Sequence, residues 1–338
     1  MKIDAPLLTE NPLDAGAQAR QLEAQGLDGA YTFDGRIDPF LPLAFAAEHT
    51  ERLTLTTAIA VAFARNPMVV AQLGNDLQRI SQGRFILGLG SQIKAHIEKR
   101  FSMPWSAPAA RMREFVLALR AIWQAWQQRA PLDFRGEFYT HTLMPPLLAP
   151  PPNPYGPPRI YLAGVGPVMT EVAGEVADGY LVHPFHCRPY LDQLALPALQ
   201  RGLAKGGRPA DAIDISCQLL VAVGRNSEEM AKAREALQNQ IAFYASTPAY
   251  RPVLDALGRG VLQEELNAMS KAGRWAEMGG CIDDELIHAV AILDTPEAAA
   301  RTIVERYRGW AHRVSPTGYI TDPQLAAALV AALRQALH

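Results

Sequence analysis

The chain has 338 residues, 49% hydrophobic and 20% charged, and its 32 basic and 34 acidic side chains leave a formal net charge of −2. So balanced a charge excludes the basic footprint of a nucleic-acid or anionic-membrane binder, and no apolar run approaches the ~20 residues of a membrane span. Cys187, Cys217 and Cys281 lie far apart, which excludes a disulfide framework; with no signal-peptide core after Met1, a cytoplasmic protein is expected.

Short apolar or β-branched runs predict strands at 1–5, 29–33, 53–61 and 84–88, their ends recurring about every 28 residues. One strand, a loop, a helix and a return loop fill that interval, which makes a βα unit. Helix starts are marked by a capping side chain before a proline: Asn11-Pro12, Asn66-Pro67, Thr295-Pro296 and Asp322-Pro323. The cap oxygen takes an orphan backbone N–H, and proline sits where its missing N–H is not needed. A helix over 111–128 places Phe115, Leu119, Ile122 and Trp126 on one face. Beyond it, 133–139 reads as a small hairpin and the proline-dense 145–158 as a surface excursion. Strands resume at 159–163, 179–182 and 213–223. A second excursion, rich in glycine and charge, covers 245–283, and the last strand falls within 314–320, ahead of a helix from Asp322. Eight βα units fit a closed (β/α)8 TIM barrel better than an open doubly wound sheet. The expected organisation is one α/β barrel domain over 1–338, with insertions at about 91–110, 130–158 and 245–283.

Chemistry in such a barrel belongs at the C-terminal strand ends. Gly88, Gly90 and Ser91 follow the fourth strand; Gly164, Val165, Gly166 and Pro167 follow the fifth. Glycine permits close backbone approach, and a helix beginning there offers unpaired N–H groups and a positive dipole end, so both turns are candidate phosphate seats. The second is the better one, because Pro167 is a natural first helical residue. Neither completes Gly-x-Gly-x-x-Gly, since Ile93 and Met169 stand at the third glycine, and tight turning alone would also account for the glycines. Asp34, before Gly35, is a candidate proton acceptor or cofactor-orienting group and equally a turn former. Asp38 before Pro39 reads as a helix cap, and Glu48 and His49 as solvated. In His183-Pro184-Phe185-His186-Cys187, Pro184 breaks regular ligand geometry and no carboxylate is near in sequence, so no metal is expected. His183 reads instead as a neutral pocket residue able to hydrogen-bond a ring or act as acid or base. Lys94, Lys99 and Arg100 cluster just after the first glycine turn, either solvated or set to meet a long anionic tail. His96 and His141 carry no assigned role.

Residues 38–43 (DPFLPL), 60–72 (AVAFARNPMVVAQ), 83–91 (GRFILGLGS) and 164–182 (GVGPVMTEVAGEVADGYLV) stand in an order and spacing that resembles the luciferase-like monooxygenase family. Within it, the chain resembles the coenzyme F420-dependent oxidoreductases. The likeness runs over nearly the whole chain, including 134–139 and 241–250. This resemblance implies a bacterial-luciferase-like barrel with a ring system at its C-terminal mouth and the backbone of Gly164, Val165, Gly166 and Pro167 on the cofactor phosphate. It implies a non-proline cis peptide at Ala58-Ile59, with Thr57 beside it, against the ring. It further implies hydride transfer between F420 and a small-molecule substrate, in a homodimer. Such relatives carry a histidine beside or shortly after an acidic residue in the loop after the second strand, whereas Asp34-Gly35-Arg36-Ile37 has none. Asp34 or His183 is left to handle the substrate proton. An FMN-dependent monooxygenase would use the same seat without a basic tail site, and a flavin- or deazaflavin-binding protein without turnover would need no proton-handling group.

Overall fold

Eight short strands, four of them wholly apolar or β-branched, pair in parallel: β1 (Lys2–Pro6), β2 (Gly29–Thr32), β3 (Thr54–Thr57), β4 (Phe85–Gly90), β5 (Arg159–Ala163), β6 (Gly179–Val182), β7 (Asp214–Gln218) and β8 (Arg313–Ser315). Each pairs with the next, and β8 returns to β1 in the register Lys2↔Arg313 and Ile3↔Val314. The sheet is therefore a closed (β/α)8 barrel with no free edge. The computed structural model describes residues 1–337. No helix among them is long and apolar enough to cross a membrane.

The main outer helices are α1 (Ala15–Ala24), α2 (Leu41–His49), α3 (Pro67–Ile80), α4 (Pro108–Gln128), α5 (Pro167–Val176), α6 (Leu196–Lys205), α7 (Ser227–Ala245), α8 (Pro296–Tyr307) and α9 (Pro323–Leu337). All four proline caps form. Asn66 accepts from the Met68 amide at 2.9 Å, Asp322 from Gln324 at 2.8 Å and Thr295 from Ala298 at 3.4 Å. Asn11 caps a 3-10 turn, Pro12–Asp14, that leads into α1. α5 and α6 meet backbone to backbone, because a Cβ on Gly202 would stand 1.9 Å from the Glu171 carbonyl oxygen and one on Gly174 2.2 Å from that of Leu199. That contact fixes α5, whose first turn forms the site described below.

The structure corrects several predicted boundaries. Residues 53–61 are not one strand: β3 stops at Thr57, and Ala60–Val61 pairs further along β4 with Leu89 and Gly90. Thr56 faces Ile86 and Ala60 faces Leu89, so one extra residue bulges out between them, which turns the backbone toward the mouth. Residues 213–223 also divide. Val221–Val223 leaves the barrel to pair with Ile292–Asp294 in a separate parallel sheet. The last strand starts at Arg313, earlier than predicted, where its guanidinium meets Asp4. Residues 245–283 are largely helical, at Arg251–Asp255, Gly260–Lys271 and Trp275–Met278, since Leu254, Leu266 and Met278 are each buried. The predicted hairpin pairs Phe134–Arg135 with Thr140–His141. Its turn is held by Glu114 of α4, whose carboxylate accepts the amides of Glu137, Phe138 and Tyr139 at 2.8, 2.7 and 2.6 Å.

Candidate functional site

β5 ends at Ala163, and after Gly164, Val165 and Gly166 the chain enters α5 at Pro167. Gly166 is the N-cap, in extended backbone (φ −79, ψ 154), and it contributes no side chain to the cap. The N–H groups of Val165, Gly166, Val168 and Met169 make no hydrogen bond among the described residues, whereas that of Thr170 reaches the Gly166 carbonyl at 3.1 Å. Four unpartnered donors at and just before a helix start attract an anion. The two glycines differ in why they are glycines. A Cβ on Gly164 would press on Met169 and the Thr170 amide at 3.1 Å, while one on Gly166 would have nothing within 4 Å. Any residue adopts the backbone of Gly166, so folding does not require glycine there; what its absent side chain leaves is a cradle.

Gly88 and Gly90, predicted to follow the fourth strand, lie within β4, which runs on to Gly90, and they answer to packing instead. A Cβ on Gly88 would lie 1.8 Å from the Thr57 carbonyl oxygen, and one on Gly90 2.7 Å from the Ile59 side chain. Ser91 Oγ donates to Gln92 O at 3.1 Å. Only a six-residue helix, Lys94–Lys99, follows. On it Lys94 approaches Glu98 at 3.8 Å, and just beyond it Arg100 donates to the Gly35 carbonyl at 2.7 Å, tying this insertion to the loop after β2.

Thr57 is fully buried, and its hydroxyl bonds both the amide and the carbonyl of Gly88, at 2.9 and 2.8 Å. The Ala58–Ile59 peptide is cis, as the resemblance implied. Both residues are half-buried and pack over Ile86, Tyr161 and Leu181 inside the barrel. Ala58 N–H donates to Thr32 O at 2.6 Å and Asp34 N–H to Ile59 O at 2.9 Å. From β7, across the mouth, Gln218 Nε2 reaches Ala58 O at 3.4 Å. Asp34 braces the same segment: Oδ2 accepts the Val61 amide at 2.7 Å and Arg65 Nη1 at 2.5 Å. Arg65 also contacts Asp38 at 3.2 Å, and Asp38 caps the α2 entry through the Phe40 amide at 2.8 Å. The Asp34 side chain is 8% exposed, so its carboxylate is committed to structure.

His183, just past β6, accepts the Phe185 amide on Nδ1 at 3.1 Å, which assigns the proton to Nε2. Nε2 itself has no partner among the described residues. The ring stacks on Tyr250 at 4.2 Å and meets Tyr244 edge-on at 4.8 Å, and the Tyr244 hydroxyl pairs with that of Tyr319 at 2.8 Å. His186 donates from Nδ1 to His183 O at 2.7 Å and accepts from the Tyr307 hydroxyl on Nε2 at 2.9 Å. Cys187 Sγ turns to Val253 O, at 3.7 Å. These three side chains therefore face different partners and do not converge on one metal. Nothing in the residues after β6 named the three tyrosines, which arrive from α7, the second excursion and the segment after β8.

Burial, with His186 beside it, pushes His183 down to about 3, and burial pushes His186 down to about 4. Unfolded histidine protonates near pH 6.5, so below that the unfolded state binds more protons than the folded one. The stability that these neutral rings contribute is complete above about pH 6.5 and is lost as pH falls toward 4. Denaturant midpoints at pH 7 and pH 5 check this: the wild type drops, and His186→Gln drops less. Equal drops for the two proteins would contradict it.

A cleft of about 560 Å³ at the opposite, N-terminal end is lined by Lys2, Arg159, Asp214, His312 and Arg313. Its arginines already pair with Asp214 and Asp4, and barrel chemistry belongs at the other face.

The description of luciferase-like monooxygenases matches residues 2–313. The chain belongs to that family. The luciferase-like chain is 53% identical to the uncharacterized protein Rv1360 of Mycobacterium tuberculosis over 317 residues, 94% of this chain and 93% of the other. It is 26% identical to 5,10-methylenetetrahydromethanopterin reductase of Methanolobus tindarius over 295 residues, 85% and 84% of the two chains. In fold it is similar to the coenzyme F420-dependent tetrahydromethanopterin reductase of Methanopyrus kandleri, with a TM-score of 0.79 and 23% identity, covering 97% and 96%. A coenzyme F420-dependent reductase is thus among the structural neighbours of this member of the family.

Proposed function

We propose that the chain is an F420-dependent oxidoreductase, moving a hydride between the deazaflavin and a small organic substrate. One observation carries the anchoring of such a cofactor: four unpaired main-chain N–H groups, at Val165, Gly166, Val168 and Met169, beside the open space at Gly166; the F420-dependent relative favours the deazaflavin. An anionic arm would satisfy these donors and meet the positive end of α5. Gly164, Val165, Gly166 and Pro167 would hold the phosphate, and Ala58 and Ile59 would face the ring. Thr57, Gly88 and Gly90 support that face by close packing of β3 on β4, and Ser91, just past β4, would line the same mouth. When bound, the cofactor supplies the hydride chemistry; the chain's own residues position, shield and hydrogen-bond. Asp34, with Arg65, orients the 58–61 segment and is not free to carry a proton. His183 is the other candidate at the mouth, and its neutral Nε2–H would bond a substrate oxygen while Tyr250 and Tyr244 hold the ring. Lys94, Lys99 and Arg100 are exposed; Lys99 would meet an extended anionic tail directly, and Lys94 and Arg100 by turning from Glu98 and the Gly35 carbonyl.

Titration of the purified protein with F420 and with FMN, followed by fluorescence, tests the assignment. Tighter saturation by F420 is expected. Saturation by FMN alone would overturn the cofactor and favour the monooxygenase reading. Neutralising Lys94, Lys99 and Arg100 together should weaken F420 and leave FMN unchanged.

A further inference from the structure

Two buried phenols of the core lie behind the α5 turn. The Tyr180 hydroxyl, on β6, donates to the Gly164 carbonyl at 2.7 Å, and the Tyr190 hydroxyl donates to the Val165 carbonyl. Their side chains are 0% and 2% exposed. In a planar trans peptide the C=O and the following N–H point in opposite directions. Tying the Gly164 carbonyl inward therefore turns the Val165 N–H outward, and tying the Val165 carbonyl turns out the Gly166 N–H. These are two of the four amides without a partner. We infer that Tyr180 and Tyr190 are positioning residues for cofactor binding, setting the aim of the Val165 and Gly166 amides toward the phosphate; this rests on the phosphate seat proposed above. Neither phenol touches the ligand. Burial pushes Tyr180 up to about 12 and raises Tyr190 as well, so both stay protonated donors at ordinary pH. Preset donors bind more tightly, because peptide orientation need not be fixed at the moment of binding.

A neighbouring hydroxyl gives a control. Thr170 Oγ1 donates to the Gly166 carbonyl at 3.0 Å and lies 3.4 Å from the Tyr180 hydroxyl, which keeps its own bond to Gly164; the Gly166 carbonyl shares its peptide with Pro167, which has no N–H to aim. Tyr180→Phe, Tyr190→Phe and Thr170→Val each remove one hydroxyl and keep the bulk of the side chain. Affinity should be measured for F420 and for FMN, each beside its phosphate-free counterpart (the ribityl deazaflavin and riboflavin). Each phenylalanine variant should bind the phosphate-bearing ligands about tenfold more weakly, the worth of a charge-assisted hydrogen bond. Affinity for the phosphate-free ligands should not change, and Thr170→Val should change neither. The two phenylalanine variants are separate tests, so loss of folding in one leaves the other. Equal losses with and without phosphate, no loss at all, or a selective loss in Thr170→Val would each overturn the inference. A wild type that binds the two ligand classes equally overturns the seat itself, whatever the variants do.

Discussion

Gly166→Asp should weaken binding of both F420 and FMN by about a hundredfold or more, through like-charge repulsion and competition for the same donors, while the protein melts at the same temperature or slightly higher. The position tolerates the change, since its φ of −79 suits any residue and a Cβ there meets nothing within 4 Å. It is also the N-cap of α5, where aspartate is among the preferred residues and gains a few tenths of a kcal/mol over glycine by accepting orphan amides. The carboxylate would therefore occupy the donors proposed for the phosphate. Stability and binding move in opposite directions, which a general disruption of the fold cannot produce. Fluorescence titration and a thermal melt on one preparation check both halves. Retained affinity contradicts the seat; a large drop in melting temperature contradicts the geometry at Gly166.

The largest loss of stability should follow from breaking the pair that closes the barrel. Arg313 Nε and Nη2 donate to Asp4 Oδ2 and Oδ1, both at 2.7 Å, with the side chains 5% and 12% exposed. The pair spans the β1–β8 seam, and β8 has only three residues to hold it. Gly29 of β2 leaves the room, since a Cβ there would lie 2.5 Å from Asp4 Oδ1 and 2.6 Å from Arg313 Nη2. Removing one partner strands a buried charge, so Asp4→Ala and Arg313→Ala should each cost about 3–5 kcal/mol. The combined Asp4→Leu and Arg313→Met variant should lose much less than the sum, because no charge stays unpaired. Denaturant unfolding of all variants measures the coupling; single losses below about 1 kcal/mol, the worth of a surface pair, would contradict it.

The barrel was legible because its signals are local. A cap before a proline and a short β-rich run each declare themselves within a few residues, and the recurrence of strand ends supplies the closed count. What stayed illegible depends on partners brought from elsewhere. Asp34 looked free for proton chemistry because Arg65, its partner 31 residues on, could not be assigned to it from the chain alone. Gly88 and Gly164 looked alike as turn glycines, yet one is pressed against Thr57 and the other borders the open start of α5. The 53–61 run kept its β-forming composition through a bulge that no propensity marks. Residues 245–283 hid their helices because short amphipathic pieces interrupted by glycine show little periodicity. The family resemblance found Ala58-Ile59, where local chemistry offered no signal at all.

The central claim is that the amides opening α5 receive the anionic arm of the cofactor. A crystal structure of the protein with F420 or FMN bound tests it most directly. Phosphate oxygens within hydrogen-bond distance of the Val165, Gly166, Val168 and Met169 nitrogens are the predicted result. Phosphate held at the end of β4, around Gly90 and Ser91, or anywhere else, with those four amides left facing water, would contradict it.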